Sequence, residues 1–140
     1  MDTNVLTRGQ LERQLSQQIQ ALYREQLSHQ PGKVSCEIFD QKIAILIEDS
    51  LTPTEQLLMR EGRHELLEEV RTDLDDVIRP KLKAVIEEVL GVEVIDFMSD
   101  ATPATGRSGI IAVLSTMPEF REPKSKLTKP DKSSLNGKSG

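Results

Sequence analysis

The segment 100–109 contains the residues of this chain that are best suited to bind a small anion. The candidate contacts within it are Thr105, Gly106, Arg107, Ser108 and Gly109. A guanidinium group such as that of Arg107 can bind a carboxylate, a bicarbonate or a phosphate, and glycines let an anion approach backbone N–H groups closely. The segment lacks the Lys-Ser/Thr pair of a phosphate-binding loop, and the pattern after it predicts a strand instead of a helix. A β-hairpin loop whose glycines only satisfy turn geometry is therefore the competing interpretation.

The histidines and the single cysteine lack the partners that catalysis or metal binding requires. Neither His29 nor His64 has a second histidine four residues away, so the helical zinc-binding pattern is missing. Cys36 lies two residues from both Val34 and Ile38, so its side chain points with theirs toward the predicted core, where a thiol behaves as a small apolar group. We therefore expect no catalytic residue, no metal ligand and no cofactor.

Carboxylates are frequent in the second half of the chain. Glu68, Arg71 and Asp75 share one face of a predicted helix, and Glu69 and Asp73 share another. These spacings are typical of a solvent-exposed face with partial ion pairing. A pair of carboxylates that acts as acid and base needs a hydrophobic cleft to separate the two pKa values, and the sequence indicates none. We expect a protein that is not an enzyme.

Helical and strand patterns follow one another in the first half of the chain. Thr7 and Gln10 have the spacing of a capping box, and the apolar residues of 11–27 recur at helical spacing. This pattern predicts an amphipathic helix of about 20 residues. Apolar residues then alternate with polar ones over 34–38 and fill 43–47. This pattern predicts a β-hairpin whose second strand, apolar on both faces, is central in the sheet or covered by helices.

The second half begins with a strong helix signal at 52–55. Thr52 suits the N-cap, the following proline suits the first turn, and Glu55 has the reciprocal capping position. An apolar stripe over 64–90 predicts a long helix, which Pro80 should kink. Further strands are predicted at 92–98 and 110–114.

The predicted order α-β-β-α(α)-β-β favours an α+β fold, a two-layer sandwich with a mostly antiparallel four-stranded sheet. We assign residues 1–118 to a single domain and residues 119–140, which are rich in lysine and follow no apolar period, to a disordered basic tail. The tail carries a charge of +3 and the body −8, for a net charge of −5. The tail either folds loosely over the body or docks on an anionic partner such as lipid head groups.

Composition and hydropathy disfavour two kinds of partner. An acidic chain with one tyrosine, three phenylalanines and no tryptophan has neither the basic face nor the stacking rings that nucleic acid binding favours. The longest apolar run, 43–47, is far shorter than the roughly 20 residues of a membrane helix, and the N-terminal pattern is not that of a signal peptide. We expect a cytoplasmic protein without a transmembrane segment.

A sheet that is covered by helices on one face leaves its other face uncovered. Ala44, Leu46 and Val94 are apolar residues that the strand alternation places on this side. Burying them between two copies of the chain would remove apolar area from water, at roughly 25 cal/mol per Å². We therefore expect a homodimer.

Several segments together resemble the MpsC family of small bacterial proteins. They are Thr7-Arg8-Gly9-Gln10-Leu11-Glu12, the turn from Gly32 into Val34, Asp49-Ser50-Leu51-Thr52, and Gly106-Arg107-Ser108-Gly109-Ile110-Ile111-Ala112-Val113-Leu114. The resemblance spans about residues 6–116, contains no catalytic signature and assigns no residue a chemical role. It implies a link to a cation-coupled, membrane-potential-generating system that is associated with inorganic-carbon uptake.

The residues and the resemblance together predict a non-enzymatic accessory or regulatory protein. We expect a homodimer in peripheral contact with membrane protein subunits at the inner face of the membrane. The alternative is a module that binds a small anion or a metabolite through residues 100–109.

Overall fold

Three helices and four strands make up residues 5–121, the part of the chain that the computed structural model describes. In chain order they are α1 (Arg8–Leu27), β1 (Val34–Phe39), β2 (Lys42–Ile47), α2 (Pro53–Arg60), α3 (His64–Leu90), β3 (Val94–Thr102) and β4 (Arg107–Leu114). The strands form one antiparallel sheet in the order β1-β2-β4-β3. Helices α1 and α3 pack together against this sheet, and α2 packs on α3. The predicted α+β class and element order are confirmed.

The predicted capping box at the start of α1 is present. The backbone N–H of Gln10 donates to Thr7 Oγ1 at 3.2 Å, and the backbone N–H of Thr7 donates to Gln10 Oε1 at 2.8 Å. The helix buries four residues of the predicted apolar stripe, Leu11, Leu15, Ile19 and Leu22, and in addition Tyr23, while Leu27 is half-buried against the core. Removal of this stripe from water holds α1 against the sheet.

Helices α2 and α3 begin and end at the residues that their local chemistry favours. Thr52 and Glu55 form the second capping box, and Gly62, with a φ of 71°, separates the two helices. Helix α3 continues through Pro80 and ends at Gly91, which has a left-handed backbone (φ 71°) and donates its N–H to the Glu87 carbonyl at 2.8 Å. Left-handed backbone at a helix end favours glycine, because a side chain would be strained there.

The second hairpin is longer than its apolar pattern predicts. Strand β3 continues beyond Met98 to Thr102, and β4 begins at Arg107 instead of Ile110. The polar loop expected here is therefore only a turn of residues 103–106. The backbone hydrogen bonds of an antiparallel ladder do not depend on apolar side chains. Polar residues therefore extend both strands, although the sequence there lacks the alternation of apolar and polar residues that predicts a strand.

Val94 lies on the helix side of the sheet, and its predicted position on the opposite side is wrong. Val94 pairs with Leu114, whereas Asp96 pairs with the residue before Leu114 in β4. Ile95 is thus the extra residue of a β-bulge, which reverses the alternation of side chains. Val94 is buried in the core, and Ile95 is exposed.

The last described residues return to the start of α1. The backbone N–H of Arg121 donates to the Leu6 carbonyl at 3.0 Å, and its Nε donates to the Val5 carbonyl at 2.9 Å. Phe120 packs against the core. The rest of the tail predicted at 119–140 lies outside the described residues, so its disorder stays a prediction.

Candidate functional site

The turn at residues 103–106 is tied to the segment that follows β2. Gly106 has a left-handed backbone (φ 74°), and its N–H donates to the Thr102 carbonyl at 2.9 Å. The Gly106 carbonyl accepts from the backbone N–H and the hydroxyl of Ser50, at 2.8 and 3.1 Å. The Thr105 hydroxyl donates to the Thr102 carbonyl at 3.2 Å. These polar groups of the turn are therefore used within the protein.

The guanidinium group of Arg107 already has a partner. Its Nε donates to Glu48 Oε1 at 3.1 Å. The two side chains are 51% and 36% exposed, so this pair contributes only about 0–1 kcal/mol to stability. The Glu48 carboxylate nevertheless places a negative charge beside Arg107, where an incoming anion would bind.

The five predicted contact residues are divided between a turn and two faces of a strand. Thr105 and Gly106 belong to the turn, and Arg107, Ser108 and Gly109 belong to β4. Successive side chains of a strand point to opposite faces, so Ser108 lies on the helix side while Arg107 and Gly109 lie on the other. The five residues therefore do not converge on one point.

The face of the sheet that points away from the helices, here called the outer face, carries exposed apolar side chains. Its rows across β1, β2, β4 and β3 are Ser35, Leu46, Gly109 and Asp100; Glu37, Ala44, Ile111 and Met98; and Phe39, Lys42, Val113 and Asp96. Leu46, Met98 and Ile111 are 40%, 49% and 38% exposed. The apolar outer side that Ala44 and Leu46 predict is therefore present in the structure.

A groove of about 480 Å³ runs over the outer face. The side chains of Leu46, Met98 and Ile111 line it, and the small residues Ala44 and Gly109 keep the sheet accessible between them. Polar residues of β1 and β3 border it at the two edges of the sheet. Contiguous apolar surface with a polar border is typical of a site where a protein or another apolar partner binds.

A second cavity, here called the Arg71 cavity, lies on the helix side between α1, α3 and the β3–β4 hairpin. Its volume is about 230 Å³, and its lining includes Tyr23, Arg71, Thr72, Asp75, Ser99 and Ser108. The helical spacing of Glu68, Arg71 and Asp75 predicts a solvent-exposed face for Arg71. The structure corrects this, because α1 packs along α3 and leaves Arg71 partly buried, with its Nε inaccessible to solvent.

Charged groups surround Tyr23 at this cavity. Burial, together with the nearby negative charges of Glu55 and Asp75, raises the pKa of Tyr23 to about 12. Asp75 Oδ2 accepts from Arg79 Nη2 at 3.2 Å, and the same nitrogen of Arg79 donates to Ser99 Oγ at 3.0 Å. No local motif predicts this arrangement, since its members come from helices and strands that are far apart in the chain.

One histidine and the cysteine serve the structure. His29 Nε2 lies 2.7 Å from the Asp49 carbonyl oxygen. Cys36 Sγ accepts from the Ser16 hydroxyl at 3.3 Å, and burial raises the pKa of its thiol to about 11. The thiol is therefore protonated at neutral pH, which makes it a poor nucleophile. Within residues 5–121, no group of three or more His, Cys, Asp and Glu side chains is placed to hold a metal ion.

Comparison with known families finds a match that covers most of the described chain. A family model described as "Na+-translocating membrane potential-generating system (MpsC)" matches residues 7–116, which include every helix and strand from α1 to β4. Comparisons with curated proteins and with solved structures found no match. Among the helices of residues 5–121, none combines the length and the apolar character that crossing a membrane requires.

Proposed function

The chain belongs to the MpsC family, and from this premise we propose that it is a non-enzymatic accessory protein of a Na+-translocating, membrane-potential-generating system. It acts as a homodimer at the cytoplasmic face of the membrane, in peripheral contact with the membrane subunits of a system that supports inorganic-carbon uptake. The observation that carries this proposal is the exposed apolar outer face of the sheet.

The outer face has the character of an interaction surface. Leu46, Met98 and Ile111 expose apolar side chains around one groove. Each Å² of apolar surface that a partner removes from water contributes about 25 cal/mol. An apolar patch on a rigid sheet also costs little ordering entropy when it is covered, because its backbone is already held by the strand ladder.

We assign the outer face to a second copy of the chain. Leu46 and Met98 protrude, whereas Ala44 and Gly109 leave a depression, so two copies related by a two-fold axis can place the protrusions of each over the depression of the other. Strands β1 and β2 have six residues each, and β3 and β4 have nine and eight. Over the length of the shorter strands, with about 4.8 Å between neighbours, the face measures roughly 20 by 20 Å. Two such faces bury on the order of 800 Å², which is the size of a weak and reversible interface.

Two observations support a role without catalysis. The Cys36 thiol is held in its protonated form by burial, and the ring of His29 is bonded to a backbone carbonyl. Both groups are thus used to hold the fold, and neither lies beside a partner that would activate it.

Affinity purification from native membranes at low salt tests the proposal. The tagged full-length chain should recover an untagged second copy of itself and integral membrane subunits of the system, identified by mass spectrometry. The Leu46→Glu variant should lose the second copy, and Val77→Glu, which places the same charge at an exposed apolar position of α3, should retain it. Recovery of neither a second copy nor an integral membrane subunit would contradict the proposal.

The alternative, a module that binds a small anion through residues 100–109, has weaker support. Its main cation, Arg107, is paired with Glu48. An anion would have to displace that carboxylate or share the guanidinium group with it.

A further inference from the structure

The Arg71 cavity is a polar site that is separate from the outer face. Tyr23 belongs to α1, Arg71 and Asp75 to α3, and Ser99 and Ser108 to β3 and β4. A neighbouring cavity of about 70 Å³ shares the side chains of Tyr23, Arg71, Asp75 and Ser108. Arg71 therefore borders two cavities, at a place where three parts of the fold meet.

Arg71 has a hydrogen-bond donor that the described part of the chain does not use. Its Nε is buried and makes no hydrogen bond within residues 5–121. Buried nitrogen donors in folded proteins nearly always have a partner, and the guanidinium group remains charged at any physiological pH. An acceptor that comes from outside residues 5–121 would satisfy this donor.

The two carboxylates that raise the pKa of Tyr23 have other partners. Asp75 Oδ2 accepts from Arg79 Nη2 at 3.2 Å. Glu55 Oε1 accepts from the backbone N–H and from the hydroxyl of Thr52, both at 2.8 Å. Neither carboxylate is bonded to the Nε of Arg71, so that donor is without a hydrogen-bond partner within residues 5–121.

The charges around the cavity select the class of ligand. Glu68 and Asp75 line the cavity, and Arg71 supplies a positive charge between them. These carboxylates would repel a phosphate dianion, whereas a ligand that has both a carboxylate and an ammonium group satisfies charges of both signs. The volume of about 230 Å³ is below the roughly 300–1,000 Å³ of sites for drug-sized molecules, which suits a molecule of amino-acid size.

We propose that the Arg71 cavity binds a small amino-carboxylate zwitterion such as a free amino acid. The ligand carboxylate accepts hydrogen bonds from the Arg71 guanidinium group and the Tyr23 hydroxyl, and its ammonium group lies toward Glu68. The Tyr23 hydroxyl is protonated at physiological pH, as is any tyrosine with a pKa of 10.0 or above, and is therefore able to donate.

Titration of the full-length ¹⁵N-labelled protein, followed by NMR, tests this assignment. The probes are the individual free amino acids and glycine betaine, with acetate, methylammonium and phosphate as comparison ligands. At least one zwitterion should give saturable shifts at the amides of Tyr23, Ser99 and Ser108, and it should bind at least about tenfold more tightly than acetate or phosphate. The assignment is overturned if no zwitterion gives saturable shifts, or if phosphate binds as tightly as the best zwitterion.

Variants of the lining residues separate binding from folding. Arg71→Gln should weaken the binding of that zwitterion at least about tenfold, while Lys83→Gln, which removes an exposed positive charge from the same helix, should leave it unchanged. Tyr23→Phe removes a single oxygen atom and should weaken binding by about threefold or more, which gives a result even if Arg71→Gln fails to fold. Unchanged affinity in Tyr23→Phe, or in a folded Arg71→Gln, would overturn the proposal.

Discussion

Glu55 Oε1 accepts two hydrogen bonds from Thr52, one from its backbone N–H and one from its hydroxyl, each at 2.8 Å. In return, the backbone N–H of Glu55 donates to Thr52 Oγ1 at 3.4 Å. Glu55 is only 6% exposed, so this reciprocal cap is what makes the burial of its carboxylate tolerable. The start of α2 therefore depends on the hydroxyl of Thr52.

We expect Thr52→Ala to lower the free energy of unfolding by about 1–2 kcal/mol, because it removes the N-cap acceptor and one partner of a buried carboxylate. Urea unfolding of the two proteins measures the difference. Thr54→Ala changes the same residue type at an exposed position in the first turn and should stay within about 0.5 kcal/mol of the wild type. Equal stability of Thr52→Ala and Thr54→Ala would show that the cap contributes nothing.

Self-association through the outer face should be lost in Leu46→Glu. A charge in the centre of an apolar interface is costly to desolvate, so the dimer dissociation constant should rise at least about tenfold. Sedimentation equilibrium over about 1–500 μM covers the range of a weak dimer. Val77→Glu, on the exposed side of α3, is the matched control. A wild-type protein that stays monomeric throughout this range would refute the dimer.

The stability of the protein should fall as the pH rises above about 10. The unfolded phenol of Tyr23 loses its proton near the ordinary pKa of 10.0, whereas the folded one keeps it until about 12. The folded state then binds more protons than the unfolded state, so the free energy of unfolding decreases with rising pH. The full effect is on the order of 3 kcal/mol.

The check is the urea midpoint of Tyr23→Phe between about pH 9 and pH 11, which should depend less on pH than that of the wild type. Both proteins should carry Cys36→Ala, because burial also raises the pKa of Cys36 to about 11 and its thiol would contribute in the same range. If the urea midpoints of the two proteins depend equally on pH, Tyr23 is not the cause of the loss of stability.

Bicarbonate should give no saturable NMR shifts at residues 105–109 of the wild-type protein, because Glu48 already neutralises Arg107. Glu48→Gln keeps the size of the side chain and removes its charge, so any anion binding at Arg107 should become stronger in this variant. Arg107→Gln is the control for binding elsewhere. Saturable shifts in the wild type that Arg107→Gln abolishes would instead favour the anion-binding alternative.

The parts of the fold that could be predicted from the sequence have strong local signals. The caps at Thr7 and Thr52 mark the starts of α1 and α2, since each cap is formed by residues only three positions apart. The alternation over 34–38 similarly predicted β1. The ends of β3 and β4 had no such signal, because their polar residues pair through the backbone alone.

The Arg71 cavity could not be predicted because its residues meet only in the folded protein. The sequence places Arg71 on the same helical face as Glu68 and Asp75, but helical spacing does not reveal whether water or another helix covers that face. Helix α1 covers it in part and brings Tyr23 to the cavity. The bulge at Ile95 was unpredictable for a related reason, since one extra residue reverses the faces of a strand without changing its composition.

The pairing of β2 with β4 at the centre of the sheet has a consequence for the order of folding. Each hairpin can form from residues that are close in the chain. The pairing of Lys42 with Val113, in contrast, closes a stretch of chain that contains both α2 and α3. Such a long closure is entropically unfavourable and slows the search for the native topology. We expect the pairing of β2 with β4 to be the rate-limiting step of folding, with α3 connecting the two hairpins while it forms. Ile86→Val, which shortens a buried side chain of α3, should therefore slow refolding in stopped-flow experiments. An unaltered refolding rate would show that another step limits folding.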